Sequence, residues 1–99
     1  MAENEKLTKN ITLYKNKPLV KRGNIIYLGY RDESFMIEME ITDTEKNGNT
    51  TSATAIEIRL IDNSRPGRDR VVKKAEREDI YKSIDIASFW LTDALGEEG

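Results

Sequence analysis

Hydrophobic and polar residues alternate most clearly in two segments near the middle of the chain. Apolar residues occupy every second position of 35–41, and the positions between them are polar except for Met36. Segment 56–60 repeats this pattern. A period of two with one polar side predicts two half-buried antiparallel strands. The polar stretch 43–52, which contains Gly48, predicts the hairpin loop that joins them.

The two predicted strands carry complementary charges on their polar sides. If the strands pair with each other, Glu38 and Glu40 come near Glu57 and Arg59 on one exposed face. Exposed ion pairs of this kind contribute a few tenths to about 1 kcal/mol each. We therefore expect these charges mainly to set the register of the sheet.

Two shorter apolar segments precede these strands. Segment 11–14 predicts a first strand or strand-like arm, and segment 24–30 predicts an inner strand with apolar groups on both faces. We expect segment 15–18 to end the first strand, because Pro18 cannot donate a hydrogen bond to a sheet. Segment 70–74 has no clear period and is compatible with a loop, a short strand or an added turn of helix.

The period changes to that of a helix in the last part of the chain. A stripe of apolar residues recurs there at i, i+4, i+7, i+11 and i+14, which predicts an amphipathic helix of about 18–20 residues. Glu76, Glu78 and Asp79 suit the positive end of the helix dipole, and Gly96 is a natural C-terminal stop. The stripe consists of Ile80, Ile84, Ala87, Leu91 and Ala94.

These elements together predict an α+β fold, an antiparallel β-meander of three to four strands with one C-terminal amphipathic helix packed on one face. We expect residues 11–95 to form a single domain, with flexible tails at 1–10 and 96–99. Four strands make a sheet about 19 Å wide, whereas a helix is only about 10 Å across. Because part of the apolar face then lacks cover, we expect either residues 18–20 or a second copy of the chain to cover it. This argument predicts a homodimer.

The composition restricts the chemistry that the chain can perform. The 99 residues, of which 37% are hydrophobic and 34% charged, fit one domain. The absence of cysteine and histidine removes thiolate nucleophiles, the commonest metal ligands and the usual base at neutral pH. We therefore expect no enzymatic activity, no metal and no cofactor. The chain has neither an apolar run of membrane-spanning length nor an apolar export segment near its start, which predicts a cytoplasmic protein.

The formal net charge of −2 conceals an alternation of basic and acidic blocks. Segments 1–23 and 65–74 are basic, and segments 31–62 and 75–99 are acidic. Such segregation favours association with charged partners. The negative overall charge and the lack of aromatic residues within 65–74 argue against nucleic acid, so an acidic protein is the expected partner. Its expected contacts are Arg65, Arg68, Arg70, Lys73 and Lys74.

A phosphate-bearing ligand is the alternative at the same segment. Residues 62–67 read D-x-S-x-x-G, which is similar to an element of PilZ domains that bind cyclic dinucleotides. The R-x-x-x-R element that those domains carry upstream does not occur before Asp62. This alternative is therefore a binder of a nucleotide, a cyclic dinucleotide or a nucleic acid through the basic segment 65–74.

Two aromatic residues of the predicted helix have two possible roles. Phe89 and Trp90 stand beside Leu91 and make an apolar belt too wide for one helix face to hide. They either pack on the edge of the sheet or form an interface with a second copy, since tryptophan is enriched at binding hot spots.

Five segments of the chain also resemble other proteins in overall pattern. These segments are Lys15–Val20, Gly23–Gly29, Val72–Lys74, Ile80–Tyr81 and Asp85–Leu91. In them the chain resembles a group of small uncharacterised single-domain proteins of anaerobic Gram-positive bacteria, and the resemblance runs over most of residues 11–95. It implies a bacterial cytoplasmic domain and brings no activity or site. The sequence as a whole predicts a non-enzymatic interaction or regulatory module that self-associates.

Overall fold

A six-stranded antiparallel sheet and one helix make up the computed structural model, which describes residues 12–65 and 67–96. The strands follow one another across the sheet in chain order, and each is antiparallel to the next. The elements are β1 (Thr12–Tyr14), β2 (Lys17–Arg22), β3 (Ile25–Leu28), β4 (Phe35–Asn47), β5 (Thr50–Asp62), β6 (Arg70–Arg77) and α1 (Ile80–Leu95). The predicted α+β meander with a C-terminal helix is confirmed, but three to four strands was too low a count. The predicted tail at 1–10 lies outside the described residues, and so does the predicted tail at 96–99 except for Gly96.

Strand β2 was missed because Pro18 was expected to end pairing. The Pro18 carbonyl accepts a hydrogen bond from the Gly29 N–H at 3.0 Å. In an antiparallel strand, the N–H and C=O groups of one residue point toward the same neighbouring strand. The hydrogen bond that Pro18 cannot donate would therefore also have gone to Gly29. Gly29 lies just beyond the end of β3, so the missing bond falls where the ladder stops in any case.

The core lies between one face of the sheet and α1. Ile37 and Met39 of β4 and Ile56 and Ile58 of β5 are fully buried there. The helix contributes Leu91, which is equally inaccessible. Complete burial of such a side chain stabilises the fold by about 1.5–3 kcal/mol. The alternating pattern in the sequence therefore identified the residues that carry most of the apolar burial.

The helix is shorter at its start than the sequence predicts. Asp79 is its N-cap, and the carboxylate accepts hydrogen bonds from the N–H groups of Tyr81 and Lys82. The helix has 16 residues rather than 18–20, because Glu76 belongs to β6. The predicted stop at Gly96 is confirmed, since this residue adopts a φ of 71° and caps the last turn. No helix within the described residues has the length and apolar character needed to traverse a bilayer.

Side chains of both edge strands reach the helix, and the estimate from strand and helix widths did not include them. The Tyr14 hydroxyl of β1 donates a hydrogen bond to Asp85 of α1 at 3.0 Å. At the other edge, the Lys73 ammonium of β6 lies 5.4 Å from the ring centroid of Trp90. Both edge strands therefore reach the same helix, and Leu28 in the middle of the sheet is only 1% exposed. The shortage of cover that motivated the homodimer is thus largely removed on this face, and self-association stays a prediction.

A long hairpin formed by β4 and β5 extends past the neighbouring strands. Pairing between β4 and β5 continues to Asn47 and Thr50, so the predicted loop at 43–52 is for the most part paired strand. In contrast, β3 pairs with β4 only as far as Glu40, and β6 pairs with β5 only as far as Ile56. The register shifts at 41–44, where the hairpin leaves the sheet.

Candidate functional site

Three arginines converge at the end of the sheet where β5 finishes and β6 begins. Arg65, Arg68 and Arg70 line a cleft of about 240 Å³ together with Asp62 and Ser64. We call this group the arginine cleft. All three arginines are exposed, and none forms an ion pair with another residue of 12–65 or 67–96. The cleft therefore presents guanidinium groups whose charges are not neutralised by a carboxylate contact.

Local hydrogen bonds shape the chain around the arginine cleft. Asp62 is the last residue of β5 and pairs across the sheet with Arg70, the first residue of β6. The Asp62 carboxylate accepts a hydrogen bond from the Ser64 N–H at 2.8 Å, which forms a turn after the strand. The Arg68 N–H then donates to the Arg65 carbonyl at 3.0 Å. These short-range bonds bring the three arginines to one end of the sheet.

The charge of the arginine cleft is positive even with Asp62 counted. Hydrogen bonds from Ser64 and then the charges of Arg70 and Arg65 hold the pKa of Asp62 below its usual value. Asp62 is therefore ionised at neutral pH and offsets one of the three arginines. The remaining excess of two positive charges favours an anionic ligand.

The two lysines of the predicted contact lie on opposite sides of the sheet. Lys73 is on the side of the helix, over the ring of Trp90. Lys74 is on the other side, where its ammonium lies 3.8 Å from the Glu57 carboxylate. The five predicted contact residues thus divide into three that share a cleft and two that continue along β6. We call the five together the basic surface: Arg65, Arg68, Arg70, Lys73 and Lys74.

The two aromatic residues singled out in the sequence have different environments. Trp90 is half-buried and packs against the core, with Lys73 above its ring. Phe89 is 69% exposed on the outer side of the helix. Of the two roles considered, packing at the sheet edge describes Trp90. Phe89 is left available for contact with another molecule.

The face of the sheet opposite the helix, called the open face below, carries a cluster that the sequence only partly indicated. Arg59 donates hydrogen bonds to Glu38 at 2.6 and 3.0 Å, to Glu40 at 3.1 Å, and to Glu57. The predicted proximity of these residues is confirmed. The strand patterns did not reveal that three carboxylates share one guanidinium, because that depends on side-chain conformation.

The hydrogen bonds of this cluster stabilise the charge of Arg59. Burial opposes the charge of Arg59, but hydrogen bonds with Glu40, Glu38 and Glu57 raise its pKa overall. The guanidinium occupies the space between the carboxylates. Across the described parts of the chain, no group of three or more acidic side chains is arranged to hold a metal ion.

Comparisons with known proteins give no match for the chain. No protein-family model matches it, and neither a curated protein nor a solved structure is significantly similar to it.

Proposed function

We propose that the protein is a non-enzymatic interaction or regulatory module, and that its basic surface binds an acidic segment of a partner protein. The observation that carries this proposal is the convergence of Arg65, Arg68 and Arg70 on one cleft without a carboxylate contact. A guanidinium offers five N–H donors in a planar arrangement that matches a carboxylate. Three of them in one cleft can bind several carboxylates of an acidic peptide.

The distribution of charge favours an acidic peptide over a compact phosphate. Lys73 and Lys74 lie beyond the cleft on opposite sides of the sheet, so the basic groups follow a strand instead of enclosing a point. The backbone N–H of Ser64, which a phosphate-binding turn would present to its ligand, is already bonded to Asp62. A phosphate-bearing ligand is therefore kept as the alternative, and the experiment below includes it.

Fluorescence anisotropy with a labelled oligoglutamate peptide tests the proposal. We expect binding that weakens as the salt concentration is raised, because partly exposed ion pairs are screened. Replacement of Arg65 or Arg68 by glutamine should weaken binding about threefold to tenfold, the range expected for one lost charge-assisted contact. Arg22→Gln is the matched control, since Arg22 is also exposed but lies on β2 away from the cleft.

The outcomes separate the proposal from its alternative. Equal losses in the control and in the Arg65 and Arg68 variants would mean that only overall charge matters, and would contradict a specific cleft. Saturable binding of a cyclic dinucleotide or an oligonucleotide, with no binding of the oligoglutamate, would instead support the phosphate alternative. A lack of binding to any of these probes at low salt would refute the proposal.

The proposal includes self-association through the outer surface of α1. Tyr81 and Phe89 are 77% and 69% exposed, and their spacing of eight residues places them on the same side of the helix. Aromatic residues are enriched in contacts between proteins. We expect a second copy of the chain to cover these two side chains.

A further inference from the structure

The free edge of β6 adjoins the arginine cleft and suggests how an acidic segment is held. Strand β6 is last in the sheet order, and among the described strands it pairs only with β5. In such an edge strand, half of the backbone N–H and C=O groups point away from the neighbour. All residues of β6 except Ala75 are exposed. The edge is therefore accessible to another extended chain.

The charges on β6 determine which chain can pair with it. Its side chains include four bases, Arg70, Lys73, Lys74 and Arg77, against the single acid Glu76. Basic residues on an edge oppose pairing between two identical strands, because like charges would face each other. The same charges attract an extended acidic strand. The net positive charge of β6 thus disfavours a second copy at this edge and favours an acidic segment.

The irregular start of β6 limits where regular pairing can occur. Leu60 pairs with Lys73 and Ile61 pairs with Val71, which leaves Val72 as a bulge. The regular part of the edge is therefore Lys73–Arg77, a length of about 17 Å at 3.3 Å per residue. Val71 and Val72 are 46% and 42% exposed and lie between this part and the arginine cleft.

We infer that the acidic partner binds as an added β-strand along Lys73–Arg77 and continues past the bulge into the arginine cleft. This inference rests on the proposed function and specifies its partner. Alternate side chains of the added strand face the two sides of the sheet, so acids on one side meet Lys73 and acids on the other meet Lys74. An apolar residue of the partner lies against Val71 and Val72.

Backbone methylation of a peptide tests this mode of binding. The probe is a labelled oligoglutamate peptide with one valine near its end, which places acids on both sides of an extended strand, together with two derivatives that are N-methylated at odd or at even positions. The three peptides have the same charge and the same side chains. An added strand bonds to β6 through only one set of its N–H groups. We therefore expect the derivative that is methylated at the bonding positions to bind at least about tenfold more weakly than the unmethylated peptide, because several backbone hydrogen bonds are lost. The derivative that is methylated at the other positions should bind much better than that one.

The results distinguish failure of the inference from failure of the proposed function. Similar affinities for all three peptides, with Arg68→Gln still weakening binding, would overturn the added strand and leave the charged contact in place. No binding of any peptide, including oligoglutamate, would overturn both.

Amide hydrogen exchange gives a second measurement. We expect slower exchange within Lys73–Arg77 when the unmethylated peptide binds, and changes confined to residues 65–70 would contradict the inference.

Discussion

Replacement of Arg59 by methionine tests how the open face of the sheet is stabilised. The substitution keeps an unbranched apolar stem and removes the guanidinium that three carboxylates share. Glu38, Glu40 and Glu57 would then face one another without a positive charge between them. We expect a marked loss of stability at neutral pH.

The contacts in the structure give the size of this loss. The Arg59 side chain is 14% exposed, and the three carboxylate side chains are 29–36% exposed. The energy of each ion pair is therefore intermediate between two limits. A surface pair contributes up to about 1 kcal/mol, and disruption of a buried pair costs about 3–5 kcal/mol. Three partly exposed contacts and the repulsion left behind give a total of about 3 kcal/mol. For a domain of this size, that corresponds to a fall in Tm of roughly 12–24 °C.

Urea denaturation and thermal melts at neutral pH provide the assay. Adding Glu38→Gln and Glu57→Gln to the Arg59 variant should recover most of the lost stability at neutral pH. Arg22→Met is the control, and we expect a change within about 0.5 kcal/mol for this exposed position. An Arg59 variant as stable as the wild type, or one whose stability the two glutamine substitutions do not raise, would refute the reasoning.

Four further predictions concern backbone strain, the arginine cleft and self-association. Gly29→Ala should lower the free energy of unfolding by about 1–3 kcal/mol. The reason is that Gly29 has a φ of 115° and an added Cβ would lie 3.2 Å from the Leu91 side chain. Gly23→Ala is the control, and it should lose less stability in the same melts because the space around Gly23 is open. Asp62→Asn should bind oligoglutamate about twofold to fivefold more tightly at low salt, and unchanged affinity would contradict the assigned cleft. Because folding lowers the pKa of Asp62, the wild type should also lose stability relative to this variant as the pH falls through that pKa. Phe89→Ser should convert a dimer into a monomer in sedimentation experiments, and a wild-type monomer at micromolar concentration would rule out this interface.

The parts of the fold that the sequence predicts best are those in which side-chain burial alternates. Strands β4 and β5 have this property, and their register was anticipated from the charges of Glu38 and Arg59. Strand β6 lacks it, because it is an edge strand with exposed side chains on both sides and a bulge at Val72. An edge strand requires little burial, so its sequence retains little of the strand period.

The sequence predicted which residues form the candidate site, but not how their side chains are arranged in space. The basic composition of 65–74 identified all five members of the basic surface. The sequence could not show that Lys73 and Lys74 lie on opposite sides of the sheet, since that requires β6 to be recognised as a strand. The predicted shortage of apolar cover for the sheet also left out side chains of the edge strands that reach the helix, such as Tyr14, which contacts Asp85.

The projecting β4–β5 hairpin provides a practical route to the binding experiments. Its turn at Gly48–Asn49 is exposed, and the residues beside it pair only within the hairpin. Asn49 lies thirteen positions before Asp62, a distance of roughly 40 Å along β5 at the usual rise per residue. A cysteine introduced at Asn49 would be the molecule's single thiol. A fluorophore can be attached to it. It would report tumbling of the whole protein while remaining far from the surface where ligands are expected to bind.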